Sequence, residues 1–285
     1  SLGDSLGGFL EGLGSERATR NHIVANRQPP NVEWHYTDDT NMALSIYSIL
    51  RQYQRIDSDE LAQNFAKHYD RSRGYGAGVR RMMGRINNGD NWRDFNTTLF
   101  DGGSFGNGGA MRVAPVGAYF ADNMNAVIEN ATLSAEITHA HPEGIAGAIT
   151  IAVATAITCN LVGQEKPSRS EFITLVLPHI PNSIVKTNVT TARDIDKMDI
   201  AEIVKVIGNG RGVRAQDTVP FVLYCACEWL NDFEEAIWQT MSGGGDVDTT
   251  CAMVGGIVAC YVGQDGLPDS WLAHREELPQ WAFEE

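Results

Sequence analysis

The chain is 285 residues long, 43% apolar, and carries a formal net charge of −14. That length makes one large domain or two ordinary ones, with enough apolar material for a sizeable core. A pI near 4.9 excludes a general nucleic-acid or membrane-surface binder; the one local basic concentration, Arg71, Arg73, Arg80, Arg81 and Arg85, reads as an exposed helix face.

In chain order the elements are helical. The chain opens on Ser1-Leu2-Gly3-Asp4, so a trimmed N-terminus is expected, and a first glycine-rich segment, Gly3 to Gly8, leads to Glu11. Thr37-Asp38-Asp39-Thr40 precedes the apolar run Met42 to Leu50, where Ala43, Ile46, Tyr47 and Leu50 fall at i, i+3, i+4 and i+7. Ser58 is placed to cap a helix carrying Leu61, Phe65 and Tyr69. A second glycine-rich segment, Gly74 to Gly78, precedes a helix marked by Val79, Met82, Met83 and Ile86. A third, Gly102 to Gly109, precedes Ala110-Met111-Arg112. A helix over Met124 to Ile137 ends near His139, and Pro142 suits the start of a long one over Ile145 to Ile157. The 16 apolar residues Gly144 to Cys159 fall short of the roughly 20 needed to span a bilayer, so they read as a buried helix and no membrane span is expected. Leu175 to Val185 is ambiguous because Pro178 and Pro181 break it. Further helices are expected at 169–178, 199–207, 218–230, 232–241 and 249–262, the last preceded by Gly243-Gly244-Gly245.

No period-2 alternation, linker or repeat divides the chain, which predicts a single all-α domain over 1–285. The five cysteines lie in apolar stretches without zinc-type spacing. Their odd number and the absence of a secretory leader predict a reducing, cytoplasmic setting, or a nuclear one in a eukaryote.

Two acidic clusters carry the chemistry. Asp38-Asp39 and Asp246-x-Asp248 each stand beside threonines and run into a helix. They offer an oxygen-only donor set that suits a hard cation, Mg²⁺ or Mn²⁺. Together the four aspartates sum to −4, which two divalent ions would match; without metal they would repel, and at least one would hold a proton. The glycine-rich segments read either as tight turns or as a diphosphate cradle at helix N-termini. Either aspartate pair, taken alone, could be first-turn helix acids. His139 and His141 could simply serve a helix end.

These segments together resemble the ADP-ribosylglycohydrolase family. The resemblance is carried by Gly3-Asp4-x-x-Gly7-x-x-x-Glu11, Tyr36-Thr37-Asp38-Asp39-Thr40-x-Met42-Ala43, Gly106-Asn107-Gly108-Gly109-Ala110-Met111-Arg112-Val113, Thr138-His139-x-His141-Pro142, Val219-Pro220 and Gly244-Gly245-Asp246-x-Asp248-Thr249, in the family's order. Gly74 to Val79 and Ser104 to Val113 look most like the branch that removes ADP-ribose from serine and trims poly(ADP-ribose). The resemblance implies an all-α fold with two Mg²⁺ ions in a cleft and Thr37, Asp38, Asp39, Asp246, Asp248 and Thr249 as metal ligands. It implies catalytic roles for Glu11 and Asp246. It implies substrate contacts from Gly76, Gly78, Gly103, Ser104, Gly106, Asn107, Met111 and His139, with Phe105 stacking on adenine. Phe105 stands where that branch tends to carry tyrosine, and Val247 departs from the usual small polar residue between the aspartates.

The implied reaction is Mg²⁺-dependent hydrolysis of the bond joining ADP-ribose to serine or arginine of a protein, or to the next unit of a polymer. Breaking a glycosidic bond at ribose C1″ needs an acid for the leaving group and a base for water. Glu11 is the carboxylate left over once four aspartates are assigned to metal. The expected partner is an ADP-ribosylated protein, polymer or small molecule acting on a monomeric enzyme, with no nucleic acid bound. The competing readings are a two-metal phosphoester hydrolase and a non-catalytic, crystallin-like ADP-ribose binder. No histidine lies in either acidic motif, which disfavours the first; Glu11 and the four aspartates are all present, which disfavours the second.

Overall fold

The computed structural model describes residues 1–14, 17–196 and 198–284. Its helices are α1 (Leu2–Gly12), α2 (Arg17–Asn26), α3 (Asp38–Tyr53), α4 (Ser58–Lys67), α5 (Ala77–Asn87), α6 (Gly108–Met111), α7 (Ala114–Tyr119) and α8 (Met124–Glu136). There follow α9 (Pro142–Asn160), α10 (Arg169–Val176), α11 (Ile184–Asp194), α12 (Ile200–Ile207), α13 (Ala215–Glu228), α14 (Phe233–Ser242), α15 (Val247–Val262) and α16 (Asp269–His274). Among the described residues there is no strand, only the isolated bridges Trp34–Arg275 and Gly106–Arg214. The all-α expectation holds.

Local chemistry sets the helix starts. Thr37 caps α3, Asn123 caps α8, His141 caps α9, and Ser168 forms a capping box with Glu171 on α10. Helix α4 is capped one residue earlier than expected. The Asp57 carboxylate accepts from the Asp59 and Glu60 amides, and Ser58 instead donates its hydroxyl to Leu133 O at 3.2 Å. The ambiguous stretch resolves into a 3-10 turn at Leu177–His179 around Pro178, after which Ser183 caps α11.

Helix α9 is the centre of the core. It packs against α6, α7, α8, α13 and α15. A helix apolar on all sides must be covered on all sides. Capped at His141, it spans 19 residues, longer than the apolar run suggested; by length and composition it could cross a membrane, yet its apolar window is 78% buried by its neighbours. Thr150, Thr155 and Thr158 return their hydroxyls to the carbonyls four residues earlier at 2.7–2.9 Å, which satisfies them in the core.

The first glycine-rich segment is neither a turn nor a cradle. Gly3, Gly7 and Gly8 lie inside α1 and form a seam against α15 and the start of α3. A Cβ at Gly3 would sit 2.1 Å from Cys251 O, one at Gly7 2.7 Å from Val247 O, and one at Gly8 2.8 Å from Thr37 Cγ2. The seam brings Asp4 and Glu11 of α1 against the N-termini of α3 and α15. The basic segment is only partly an exposed face. Arg73 lies over the Tyr36 ring and pairs with Glu276, and Arg85 pairs with Asp90; Arg71, Arg80 and Arg81 are exposed.

Gly7→Ala is expected to destabilise the fold by about 1–3 kcal/mol, because the added methyl has no room. Gly12→Ala, with open space at its Cβ, should change stability by less than about 1 kcal/mol. Denaturant melts of the two variants check this; equal midpoints would remove the seam.

Candidate active site

Two helix N-termini converge on one acidic centre. Asp38 and Asp39 occupy the first turn of α3, Asp246 is the N-cap of α15, and Asp248 lies in the first turn of α15. The positive ends of both helices face these carboxylates. The motifs meet where Thr249 Oγ1 lies 3.4 Å from Asp39 Oδ2, across 210 residues of chain. Glu11 accepts from the Val247 amide at 2.6 Å, and its carboxylate can offer an oxygen within 4.8 Å of oxygens from Asp246 and Asp248.

Asp4 supports this centre from beneath. Fully buried, it accepts from Thr37 N at 3.1 Å, Thr37 Oγ1 at 2.7 Å and Thr40 N at 3.1 Å. It therefore holds the amides of α3 rather than those of its own helix. Thr37 Oγ1 also lies 2.9 Å from Asp39 Oδ2.

Burial dominates the electrostatics. Desolvation, followed by the neighbouring Asp4 charge, pushes the Asp38 carboxyl up to about 7. Asp39 and Asp248 are pushed well above the carboxylate range, by burial first and then by each other's neighbourhood of acids. Glu11 and Asp246 are raised as well, again mainly by burial. Asp39 Oδ1 is buried without a hydrogen-bond partner. A crowded, buried, oxygen-only set with an unsatisfied carboxylate oxygen fits a hard divalent cation, which would replace the missing solvation and cancel the repulsion.

Above the centre opens a cleft of about 390 Å³. Glu11, Asp38, Asp246, Asp248 and Thr249 line it together with Gly76 and Gly78 from the start of α5, and Ser104, Gly106, Asn107, Met111 and His139 from the third glycine-rich loop and its support. Asn107 also donates to Asp246 Oδ2 at 2.6 Å and to Thr218 Oγ1 at 3.1 Å, so it orients a carboxylate. His139 is buried, with Nδ1 2.8 Å from Thr138 Oγ1. Burial, helped by the Arg112 charge, pushes its pKa down to about 3, which keeps it neutral. A Cβ at Gly108 would sit 2.6 Å from the His139 ring, so glycine there lets the loop lie directly on the imidazole. His141 serves the helix: it accepts from Glu143 N and meets Phe105 edge-on.

Four expected residues do not line the cleft. Thr37 and Asp39 lie behind its floor, tied into the carboxylate network. Gly103, at φ +95°, packs under the His141 backbone, where a Cβ would sit 2.6 Å from His141 N. Phe105 is 44% exposed and does not line the cleft; its ring meets His141 edge-on. Ser104 and Gly106 take the cleft side. Phe100, equally exposed, does line the cleft, packed where a Cβ on Gly78 would touch its ring at 2.6 Å. Sequence reasoning passed over Phe100 because it stands outside the glycine run. Val213 and the supporting role of Arg112 were also missed; Val213 comes from a loop distant in sequence.

The raised Asp38 pKa has a definite sign. Its folded value, about 7, exceeds its ordinary 3.8, so the stability it contributes is present below pH 4 and lost as pH rises toward 7. Metal-free protein is expected to lose stability across that interval. A divalent cation at about 100 times its Kd should restore about 2.7 kcal/mol at pH 7.5. Thermal melts with EDTA and with added cation check both; a metal-independent midpoint at pH 7.5 would contradict the cation reading.

Comparison with known proteins agrees with this architecture. The sequence profile of the ADP-ribosylglycohydrolase family matches residues 1–284. ADP-ribosylhydrolase ARH3 of Homo sapiens is 30% identical over 316 residues, covering 95% of this chain and 85% of its own. The Xenopus tropicalis protein of the same name is 32% identical over 272 residues, covering 83% and 76%. A solved ADP-ribosylglycohydrolase-related protein complex superposes with a TM-score of 0.61 at 22% identity, covering 96% of this chain and 88% of that one, and so shares the fold. The match runs through both acidic motifs and the glycine loop between them, and it places the chain in the ADP-ribosylglycohydrolase family.

Proposed function

We propose that this chain hydrolyses the glycosidic bond at C1″ of ADP-ribose, releasing ADP-ribose from a serine side chain or from the end of an ADP-ribose polymer. The observation that carries the reading is the position of Glu11. Its carboxylate lies on the cleft floor beside Asp246 and Asp248, opposite a wall of glycine backbone. The serine and polymer preference rests on the segments Gly74 to Val79 and Ser104 to Val113, and on the ARH3 relatives. Arginine-linked ADP-ribose is the alternative substrate.

Two Mg²⁺ ions, or Mn²⁺, held by Thr37, Asp38, Asp39, Asp246, Asp248 and Thr249 would neutralise the acidic centre and fix the ribose hydroxyls and a water. The chain's own groups do the rest. Ser104 and the backbone of Gly106 and Gly108 receive the diphosphate, with neutral His139 beneath them. Phe100 offers its face to the adenine. Glu11, with its pKa raised by burial, can hold a proton and deliver it to the departing oxygen as the C1″–O bond breaks. Water adds to C1″, and its proton passes to Asp246, which Asn107 holds in place.

The direct test is product analysis on serine-linked, arginine-linked and polymeric substrates, with and without EDTA. Free ADP-ribose, lost with EDTA, supports the reading; AMP as product would point to phosphoester cleavage instead. Glu11→Gln is expected to lower kcat by about 10²–10⁴-fold and leave ADP-ribose affinity nearly unchanged. Near wild-type turnover in that variant would pass the proton to another group. Phe100→Ala should weaken ADP-ribose binding by about 1–3 kcal/mol in calorimetric titration, and Phe105→Ala by much less. The reverse order would restore Phe105 to the site.

A further inference from the structure

A second cavity, of about 670 Å³, lies behind the loop that carries Asp246. Arg20, Asn21, Asn209, Arg211, Gly244 and Gly245 line it. Only a thin partition separates it from the cleft. Gly245 leads directly into Asp246, and the loop 208–214 sends Arg211 to this cavity and Val213 to the cleft. A Cβ on Gly210 would sit 3.1 Å from the Asp246 Cβ, and one on Gly245 would sit 2.0 Å from Asn209 O. The two loops are therefore pressed together, with glycine on both sides of the contact.

Arg27, Arg55, Arg73, Arg85, Arg93, Arg169 and Arg193 all pair with carboxylates. Among the described residues, no such pair holds Arg20 or Arg211. Arg20 places Nη2 3.6 Å from the Cβ position of Gly244, over the backbone of the partition, and its charge also reaches Glu11. The Asn209 side chain braces the second loop, donating to Gly243 O at 2.8 Å and accepting from Arg211 N at 3.2 Å. In a chain of net charge −14, two guanidiniums without a carboxylate partner among the described residues share a braced groove, one of them within electrostatic reach of Glu11, and form a site for an anion.

We infer that this groove is the leaving-side subsite, and that it takes the diphosphate of the ADP-ribose unit next to the scissile bond in a polymer. The inference rests on the glycohydrolase reading above. Two guanidiniums match the two charges of a diphosphate, and the planar fork of arginine suits its oxygens. The volume exceeds what an anion alone fills, which leaves room for the adenosine that joins the bond to that diphosphate. A single carboxylate of a modified peptide would use half of this charge.

The test compares full-length wild type with Arg20→Gln/Arg211→Gln and with Arg211→Glu. The substrates are a linear ADP-ribose oligomer of a few units and a mono-ADP-ribosylated serine peptide without acidic residues, with an acidic version of that peptide as a control. The ratio of kcat/KM, oligomer over peptide, is expected to fall about tenfold in the double variant, mainly through KM, and further in the charge reversal. Raising salt from about 0.05 M to about 0.5 M should lower the wild-type ratio and leave the variant ratio flat. Melting temperatures within about 2 °C of wild type exclude misfolding. An unchanged ratio in both variants overturns the subsite and leaves the glycohydrolase reading intact. A wild type that releases ADP-ribose from neither substrate overturns that reading itself. If the variants lose activity only on peptides carrying acidic residues, the groove belongs to peptide and the polymer assignment is overturned.

Discussion

Everything near the cleft depends on the cost of burying like charges together. Asp4, Asp38, Asp39, Asp246, Asp248 and Glu11 converge on one centre, and all six carboxyls are raised mainly by burial. A fold tolerates this only with compensation. Part of it is built in: two helix N-termini, and backbone amides donated to Asp4 and Glu11. What remains unsatisfied is concentrated on the aspartates, as the unpartnered Oδ1 of Asp39 shows. The helices are thus capped and packed, while the acidic centre keeps a charge imbalance that a cation could offset.

Helix α1 organises that centre. Its glycines remove the side chains that would hold α15 away, and its two acids then reach in different directions. Asp4 anchors the start of α3, and Glu11 reaches the start of α15. One helix therefore fixes the relative position of two motifs separated by most of the chain. Glycine at helix interiors costs stability; here the close approach to Cys251 O and Val247 O gives the reason it is present.

Much of this was legible in the residues. Periodicity located α3, α5, α8, α9 and the C-terminal helices to within a few positions, because amphipathic or uniformly apolar stretches leave a strong pattern. The charge match of the aspartates anticipated one acidic centre, and Thr249 and Asp39 do meet. Two readings differ from the structure's arrangement. Glycine in α1 was read as turn or cradle because glycine marks both turns and close helix contact, and only the neighbour distinguishes them. Phe105 was preferred to Phe100 because it stands inside the glycine run; both rings are equally exposed, and it is Phe100 that lines the cleft. Helix α2 has little apolar patterning and offered no signal.

Arg112 is a buried charge whose field reaches two groups of the cleft, each of them governed first by its own burial. It is fully buried and, among the described residues, pairs with no carboxylate; it donates to Ser134 O at 2.7 Å and lies over the Phe65 ring at 4.6 Å. Burial lowers its pKa to about 9, still above neutrality, so the guanidinium remains charged. From there it favours the ionised form of Asp38 and the neutral form of His139. Its field thus opposes part of the upward shift that burial gives Asp38, and adds to the burial that keeps the imidazole under the glycine loop uncharged. Had Arg112 paired directly with Asp38, the ion pair would have consumed the carboxylate. Holding the cation one layer back, on a carbonyl and an aromatic face, preserves its field and leaves the acid available.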